Sequence, residues 1–267
     1  MIHRPGRLVL LGRSLSHSLS PLFQNAALRA ASIPLVYEVL DIPASAVEDT
    51  LEELSRSGAA GNVTIPYKER VSAACDRLTP VAQRAGAVNT FWFERGELTG
   101  DNTDVGGFDH AARQLFGAPP SAITVGVLGA GGAAGAVLAA IEGWAGCRAL
   151  VHNRGEERGR ALVARFSSIA QSSDVETIAR ESQLVVNATP IGLRDDFVPI
   201  APESLRTDAA VFDLVYRPGE TTWVRQARAA GRRAADGLGM LIEQGALAFE
   251  RWFGFAPDRD KMWSAVR

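Results

Sequence analysis

Four short polar clusters stand in the first 104 residues: Ser16-His17-Ser18-Leu19-Ser20-Pro21, Asn62-Val63-Thr64-Ile65-Pro66-Tyr67-Lys68, Gly86-Ala87-Val88-Asn89-Thr90 and Asn102-Thr103-Asp104. They bring hydroxyls, amides, one amine and one carboxylate, a set suited to holding a polyhydroxylated small molecule. Any one of them alone reads as turn and capping chemistry. Each follows or borders an expected strand, however, and ligands of open α/β sheets bind at the carboxyl ends of strands, so the four point to one pocket. Ser18 and Ser20 lie just ahead of Pro21, at an expected helix start whose dipole favours an anion; their hydroxyls suit a carboxylate. Lys68 is also marked by composition: of 28 Lys and Arg residues, only Lys68 and Lys261 are lysine. Where arginine serves as the general cation, a lysine kept inside a polar cluster is one whose proton, or whose compact three-donor head, is needed. Lys261, outside any such cluster, reads as a chance survivor.

A second chemistry is written at Gly129-Ala130-Gly131-Gly132-Ala133-Ala134, directly after the apolar run Ile123–Leu128. In a G-x-G-x-x-A turn the first glycine permits the tight bend, the second lets the backbone approach a pyrophosphate, and the alanine keeps helix and strand close. The helix that follows presents free N–H groups and a positive dipole end to the phosphates. NAD sites usually carry Asp or Glu at the end of the next strand. Here that strand ends Val151-His152-Asn153-Arg154, with Arg158 one helical turn on. Two guanidinium groups suit the 2′-phosphate of NADP. Glu156 and Glu157 offset part of that charge.

The elements that must position these groups alternate between strand and helix. Strands are expected at Leu8–Leu11, Leu35–Leu40, Gly61–Thr64, Ala87–Phe93 and Glu97–Thr99. Helices are expected from Pro21, with Leu22, Ala26, Ala27 and Ala30 on one face, from Ala44 to Arg56, with Val47, Leu51 and Leu54, and after Pro66. Such alternation predicts a largely parallel sheet. Pro119-Pro120 reads as a connector to a second β/α series: Ile123–Leu128, a helix through Ile141, and strands at Arg148–Val151, Leu184–Asn187 and Val211–Leu214. A last helical segment holds Ile242, Leu247, Phe249 and Trp252.

Composition narrows the class. A net charge of −2 gives no basic footprint for nucleic acid or an anionic membrane. No apolar run reaches the roughly 18 residues of a membrane span, and the start, Met1-Ile2-His3-Arg4-Pro5, lacks the apolar core of a signal peptide. A cytoplasmic protein is expected. Cys75 and Cys147 are too isolated for a disulfide framework, and the histidines form no ligand pair, so no metal site is expected.

At these residues the chain resembles the shikimate dehydrogenase family, nearly end to end. The matching motifs are HSLSP at His17–Pro21, GNVTIPYK at Gly61–Lys68, GAVNT at Gly86–Thr90, GDNTD at Gly100–Asp104, GAGGAA at Gly129–Ala134, Asn153-Arg154, NATPIG at Asn187–Gly192, and the Asp213–Tyr216 segment. A tail with Gly237, Gln244-Gly245 and Phe249 completes them. The resemblance implies an α/β fold of two domains flanking a cleft, the second Rossmann-like and NADP-binding. Because Gln244 lies beyond the nucleotide-binding series, residues 1–104 and 239–267 are expected to form the substrate domain and 105–238 the NADP domain. The resemblance also implies that Lys68 and Asp104 are the catalytic pair. Ser18, Ser20, Thr64, Asn89 and Gln244 are then the shikimate contacts, and Tyr216 lies where substrate and cofactor meet. NADP is implied to contact Gly129, Ala130, Gly131, Gly132, Ala133, Ala134, Asn153 and Arg154, with Arg158, Thr189 and Gly237 beside them. Three positions depart from the family: Ser14 stands where Pro is frequent, Gln24 where His is frequent, and Gly155 where Thr usually follows Asn-Arg. The last removes a hydroxyl that could help hold the cofactor phosphate, which relaxes the expected NADP preference.

The implied activity is NADP-dependent reduction of 3-dehydroshikimate to shikimate, in aromatic amino-acid biosynthesis. Quinate or aminoshikimate oxidoreduction is the nearest alternative. A non-catalytic nucleotide-sensing module would have no use for both Lys68 and Asp104, and methylene-tetrahydrofolate dehydrogenase, which shares the two-domain plan, lacks HSLSP and NATPIG. The sequence does not choose between a monomer and a homodimer.

Overall fold

The computed structural model describes residues 5–267; Met1–Arg4, and with them His3 and most of the segment weighed against a signal peptide, lie outside the described residues. The chain divides into two units, residues 1–107 with 241–267, and residues 108–240.

The first unit runs β1 (Leu8–Gly12), α1 (Ser20–Ala30), β2 (Tyr37–Asp41), α2 (Val47–Arg56), β3 (Ala60–Val63), α3 (Lys68–Ala74), β4 (Arg77–Leu78), α4 (Pro80–Ala85), β5 (Thr90–Glu94) and β6 (Glu97–Asp101). Its sheet has the order β2-β1-β3-β5-β6-β4. Alternation along β1 sends Leu8 and Leu10 to one face and Val9 and Leu11 to the other, and each face has its own core. The expectation of a largely parallel sheet needs refinement. β1 lies parallel to β2 and β3, and β4 to β6, but β5 is antiparallel to both β3 and β6. The β5–β6 pair comes from the turn Arg95-Gly96, where both residues take positive φ, 55° and 84°, the geometry of a tight two-residue hairpin.

Helix α5 (Thr103–Phe116) carries the chain into the second unit. The change of unit falls inside this helix, and Pro119-Pro120 links α5 to the first strand of the second series. The second unit contains β7 (Thr124–Leu128), α6 (Gly132–Glu142), β8 (Arg148–His152), α7 (Glu156–Arg165), β9 (Ala170–Ser172), α8 (Val175–Glu181), β10 (Leu184–Asn187), β11 (Ala210–Asp213), α9 (Thr222–Ala229) and β12 (Ala234–Ala235). Its six strands are all parallel, in the order β9-β8-β7-β10-β11-β12. That is the doubly wound order of dinucleotide-binding sheets, with the switch point between β7 and β10. The strands are buried apolar runs, as a sheet covered on both faces requires.

The chain returns through α10 (Leu238–Phe253) and ends with α11 (Arg259–Ser264). Ile242, Ala246, Phe249, Trp252 and Met262 complete the core that Leu8, Leu10, Phe23 and Tyr37 begin. α1 turns a different face inward than its small residues indicate. Leu22 is exposed while Phe23, Gln24, Ala27 and Leu28 are buried, because the large Phe23 ring and a Gln24 hydrogen bond to the Gly245 carbonyl fix its rotation. No helix among the described residues is long and apolar enough to cross a membrane.

Candidate active site and cofactor loop

In the first unit the parallel strands β1 and β3 end side by side, and two of the polar clusters begin there. Arg13 N–H donates to the Ile65 carbonyl, and a Cβ at Gly12 would lie 2.6 Å from Thr64 Cγ2, so the two turns touch. Ser14 bends the first turn with φ 59°, a value closed to proline. Asp41, at the end of β2, accepts from the Leu15 N–H at 2.8 Å. That bond and one from Ser14 hold its carboxyl below the usual range. The turn leads to Ser18, whose Oγ accepts the Ser20 N–H at 3.3 Å, and to α1, which starts at Ser20 with proline in its first turn and no side-chain cap. Pro21 lacks an N–H, and the Leu22 N–H donates to the Leu19 carbonyl at 3.0 Å, which closes the first turn of α1.

Lys68 opens α3, just past the Thr64–Tyr67 turn. Its Nζ donates to Asp104 Oδ2 at 2.6 Å. Asp104 sits in the first turn of α5, only 5% exposed. The Asn102 side chain caps that turn, accepting the Asp104 N–H at 3.1 Å and donating to the Ala87 carbonyl at 2.7 Å. Asn89 is the hub between these segments. Its Nδ2 donates to Asp104 Oδ1 at 2.8 Å and to Gln244 Oε1 at 3.1 Å, and its Oδ1 accepts the Thr103 N–H at 2.7 Å. Behind it stands a buried relay: Tyr37 Oη donates to Asn62 Oδ1 at 2.7 Å, Asn62 Nδ2 to Thr90 Oγ1 at 3.0 Å, and Thr90 Oγ1 to Asn89 Oδ1 at 2.9 Å. Every amide orientation in the relay has a partner that defines it, so the Asn89 amide is aimed at Asp104 and Gln244 before any ligand arrives. Lys68, Asp104, Asn89 and Gln244 are thus joined directly, and Thr64, Ser18 and Ser20 lie on the adjoining turns.

Sequence reasoning misses the supporting members Tyr37, Asn62, Thr90, Asn102 and Thr103. Their one signal is their place inside the same polar clusters or, for Tyr37, in a strand; their partners lie 13 to 28 residues away for most of them.

In the second unit Gly129 follows β7 with φ 112°, and a Cβ there would meet the Ala188 carbonyl at 2.8 Å. Glycine is required on both counts. Its N–H donates to the His152 carbonyl at 2.8 Å, which ties the turn to the end of β8. A Cβ at Gly131 would meet nothing closer than Arg158 Nη2 at 4.0 Å. The approach to the start of α6 is therefore open, uncapped and free of acidic side chains in its first turn. Gly132 and Ala133 are half-buried there, and Ala130 and Ala134 are buried. Asn153 Nδ2 donates to the Gly155 carbonyl at 2.7 Å, and Arg154 is exposed at the end of β8. Thr189 borders Gly129 from the turn after β10: its N–H and Oγ1 donate to Asn187 Oδ1 at 3.0 and 2.6 Å. Asn187 in turn donates to Asp213, which also accepts from Thr221 and from the Val215 N–H. Burial raises the Asp213 carboxyl above its usual range despite these bonds. Gly237 N–H donates to the Val215 carbonyl at 3.0 Å, and a Cβ there would lie 2.2 Å from the Leu214 carbonyl. Tyr216, half-buried, follows on the same turn. A loop this open, leading to an uncapped helix with the Arg158 guanidinium beside it, fits a phosphorylated dinucleotide. Among the described residues no three His, Cys, Asp or Glu side chains group so as to hold a metal ion.

A family model for the shikimate dehydrogenase substrate binding domain matches residues 10–91, and one for the shikimate 5′-dehydrogenase C-terminal domain matches residues 237–267. A shikimate dehydrogenase (NADP(+)) of Thermus thermophilus is 41% identical over 262 residues, 98% of this chain and 97% of the relative. The chain belongs to the shikimate dehydrogenase family. The family's substrate-domain match spans Ser18, Ser20, Thr64, Lys68 and Asn89, and its C-terminal match holds Gly237 and Gln244. Solved structures agree in fold. Shikimate 5-dehydrogenase from Thermus thermophilus in complex with NADP(H) and shikimate superposes with a TM-score of 0.88 at 40% identity, covering 97% of each chain. Quinate dehydrogenase from Corynebacterium glutamicum in complex with NAD gives 0.87 at 30% identity, again over 97% of each chain.

Proposed function

We propose that this chain is an oxidoreductase acting on a CH–OH group, reversibly reducing 3-dehydroshikimate to shikimate with NADPH in the pathway to aromatic amino acids. The observation that carries the reading is the pair of Lys68 Nζ and Asp104 Oδ2 at 2.6 Å, with Asn89 bonded to both Asp104 and Gln244. Residues 1–107 and 241–267 would bind the substrate and residues 108–240 the cofactor. When bound, NADPH supplies the hydride. The Gly129–Ala134 loop, Asn153, Thr189 and Gly237 would hold it, and Arg154 and Arg158 would take its 2′-phosphate.

The chain's own residues do the rest. Reduction of a ketone builds negative charge on its oxygen, and the Lys68 ammonium stabilises that charge and donates the proton; in oxidation Lys68 takes the proton back. Asp104 holds the ammonium in place and accepts a neighbouring substrate hydroxyl. Ser18 and Ser20, at the start of α1, bind the carboxylate, while Thr64, Asn89 and Gln244 bind the ring hydroxyls and Tyr216 is assigned to the substrate by resemblance. The partner is a small molecule rather than a nucleic acid, the expected location is the cytoplasm, and a homodimer is the assembly to look for by light scattering.

The test is NADPH oxidation with 3-dehydroshikimate, repeated with NADH, and NADP or NAD reduction with shikimate and with quinate. Turnover with 3-dehydroshikimate and NADPH at least about tenfold above the other combinations, the effect of one charge-assisted contact, supports the reading. A second reading, quinate oxidation with NAD, draws on the similarity to quinate dehydrogenase and on Gly155, and a preference for quinate with NAD would establish it instead.

A further inference from the structure

α10 brings Gln244 to Asn89, yet the bond between them is a single contact of 3.1 Å between two neutral amides. The apolar face of α10 fixes how close the helix lies to α1: a Cβ at Gly245 would fall 2.3 Å from Phe23 Cε2. The buried face of α10 sets its broad orientation, but placing the Gln244 amide against Asn89 needs finer control of rotation and register. Directional bonds must supply it. Gln24 Nε2 holds the Gly245 carbonyl at 2.9 Å from the α1 side. On the side of Asn89 the strong contact is Arg251, whose Nε donates to Asp101 Oδ2 at 2.6 Å.

The spacing makes these two contacts a matched pair. Gln244 and Arg251 are seven residues apart, about two turns and roughly 10 Å, so they share one face of the helix. Their targets are themselves bonded: the Asn89 N–H donates to the Asp101 carbonyl at 3.1 Å. The helix is thus attached at two points to one rigid piece of backbone. Asp101 is 1% exposed. Its Oδ1 accepts the Thr79 hydroxyl and the Asn102 N–H, and Arg251 is its ion-pair partner among the described residues. A charge-assisted bond to a buried carboxylate is the stronger of the two attachments.

We propose that Arg251 is a positioning residue for Gln244: its grip on Asp101 sets the rotation and register of α10 that present the Gln244 amide to Asn89 and to the substrate. The inference rests on the reading of Gln244 as a substrate contact. A double-mutant cycle tests it, with KM for shikimate, KM for NADP and thermal stability measured for the wild type, Gln244→Ala, Arg251→Ala and the double variant. Gln244→Ala is expected to raise KM for shikimate about 5–10-fold, the loss of one hydrogen bond. Arg251→Ala is expected to do nearly the same in the wild type but to change KM less than about twofold in the Gln244→Ala background, because the two act through one contact. KM for NADP should not move. If Arg251→Ala fails to fold, Arg251→Gln, which keeps most of the side chain but not the charge, replaces it in the cycle. A rise by the same factor in both backgrounds, or no rise in the wild type, overturns the proposal. A Gln244→Ala single variant with unchanged KM overturns the substrate reading of Gln244 first, and this inference with it.

Discussion

Replacing Lys68 separates an ion pair that holds the fold from an amine that does chemistry. The Lys68 and Asp104 side chains are 17% and 7% exposed and 2.6 Å apart. Breaking a buried pair by removing one partner costs about 3–5 kcal/mol. Asp104 keeps the Asn89 donor at 2.8 Å, so the lower end applies to Lys68→Ala: about 3 kcal/mol, or roughly 6–12 °C in melting temperature. Lys68→Arg keeps the charge beside Asp104 and should melt near the wild type. Turnover should not follow stability. General acid–base catalysis contributes about 10²–10⁴-fold, so Lys68→Ala should lose at least about 10² in kcat, or about 2.7 kcal/mol of barrier, with a smaller change in KM for shikimate. Arginine does not readily release a proton near neutral pH and its planar fork is bulkier, so Lys68→Arg should fall close to the alanine variant in kcat. Melting curves and steady-state kinetics on both variants give the answer. A Lys68→Arg enzyme with near-normal turnover and an unchanged pH–rate profile would refute the reasoning and leave Lys68 as a fixed charge.

The double variant Ser18→Ala, Ser20→Ala should weaken shikimate binding about 10²-fold, two hydrogen bonds to a carboxylate, and leave NADP binding intact; a normal dissociation constant by calorimetry rules out the assignment. Arg154→Ala should raise KM for NADP about tenfold or more and barely alter that for NAD, whereas equal losses would show that Arg154 does not read the phosphate. Asp41 has its carboxyl lowered by the Leu15 and Ser14 N–H groups. Its stabilising effect is therefore complete above the usual carboxylate value and is lost as pH falls through the lowered one. Melting temperature should drop below about pH 4 in the wild type and drop less steeply in Asp41→Asn, which starts lower at neutral pH; parallel curves would count against the role.

What can be read in the sequence is local. β7, the Gly129 turn and α6 follow one another with glycine and alanine where sterics demand them, and Lys68 stands out because arginine fills nearly every other cationic position. The rest depends on distant partners. Arg95 in a left-handed turn carries no glycine or asparagine signal for its own position, so the β5–β6 hairpin stays hidden. β4 and β12 are two residues each, too short for any periodicity. Asn62, Thr90 and Thr103 look like turn residues until the relay that joins them is seen, and nothing local couples Arg251 to a carboxylate 150 residues away. The inward face of α1 is misread because Gln24 is polar, and its reason to be buried is a carbonyl on α10.

The division of the chain also sets an order of assembly. Residues 108–240 are contiguous and carry a sheet whose strands are all present once that stretch has been made. The core around Leu8, Leu10, Phe23 and Tyr37 instead needs Ile242, Phe249, Trp252 and Met262, which are synthesised after everything else it contains. A growing chain usually matures its N-terminal domain first. Here the first unit to be started is the last to be closed, and its apolar sheet face must wait through the synthesis of the whole second unit. That wait is a long loop closure of the kind that slows folding.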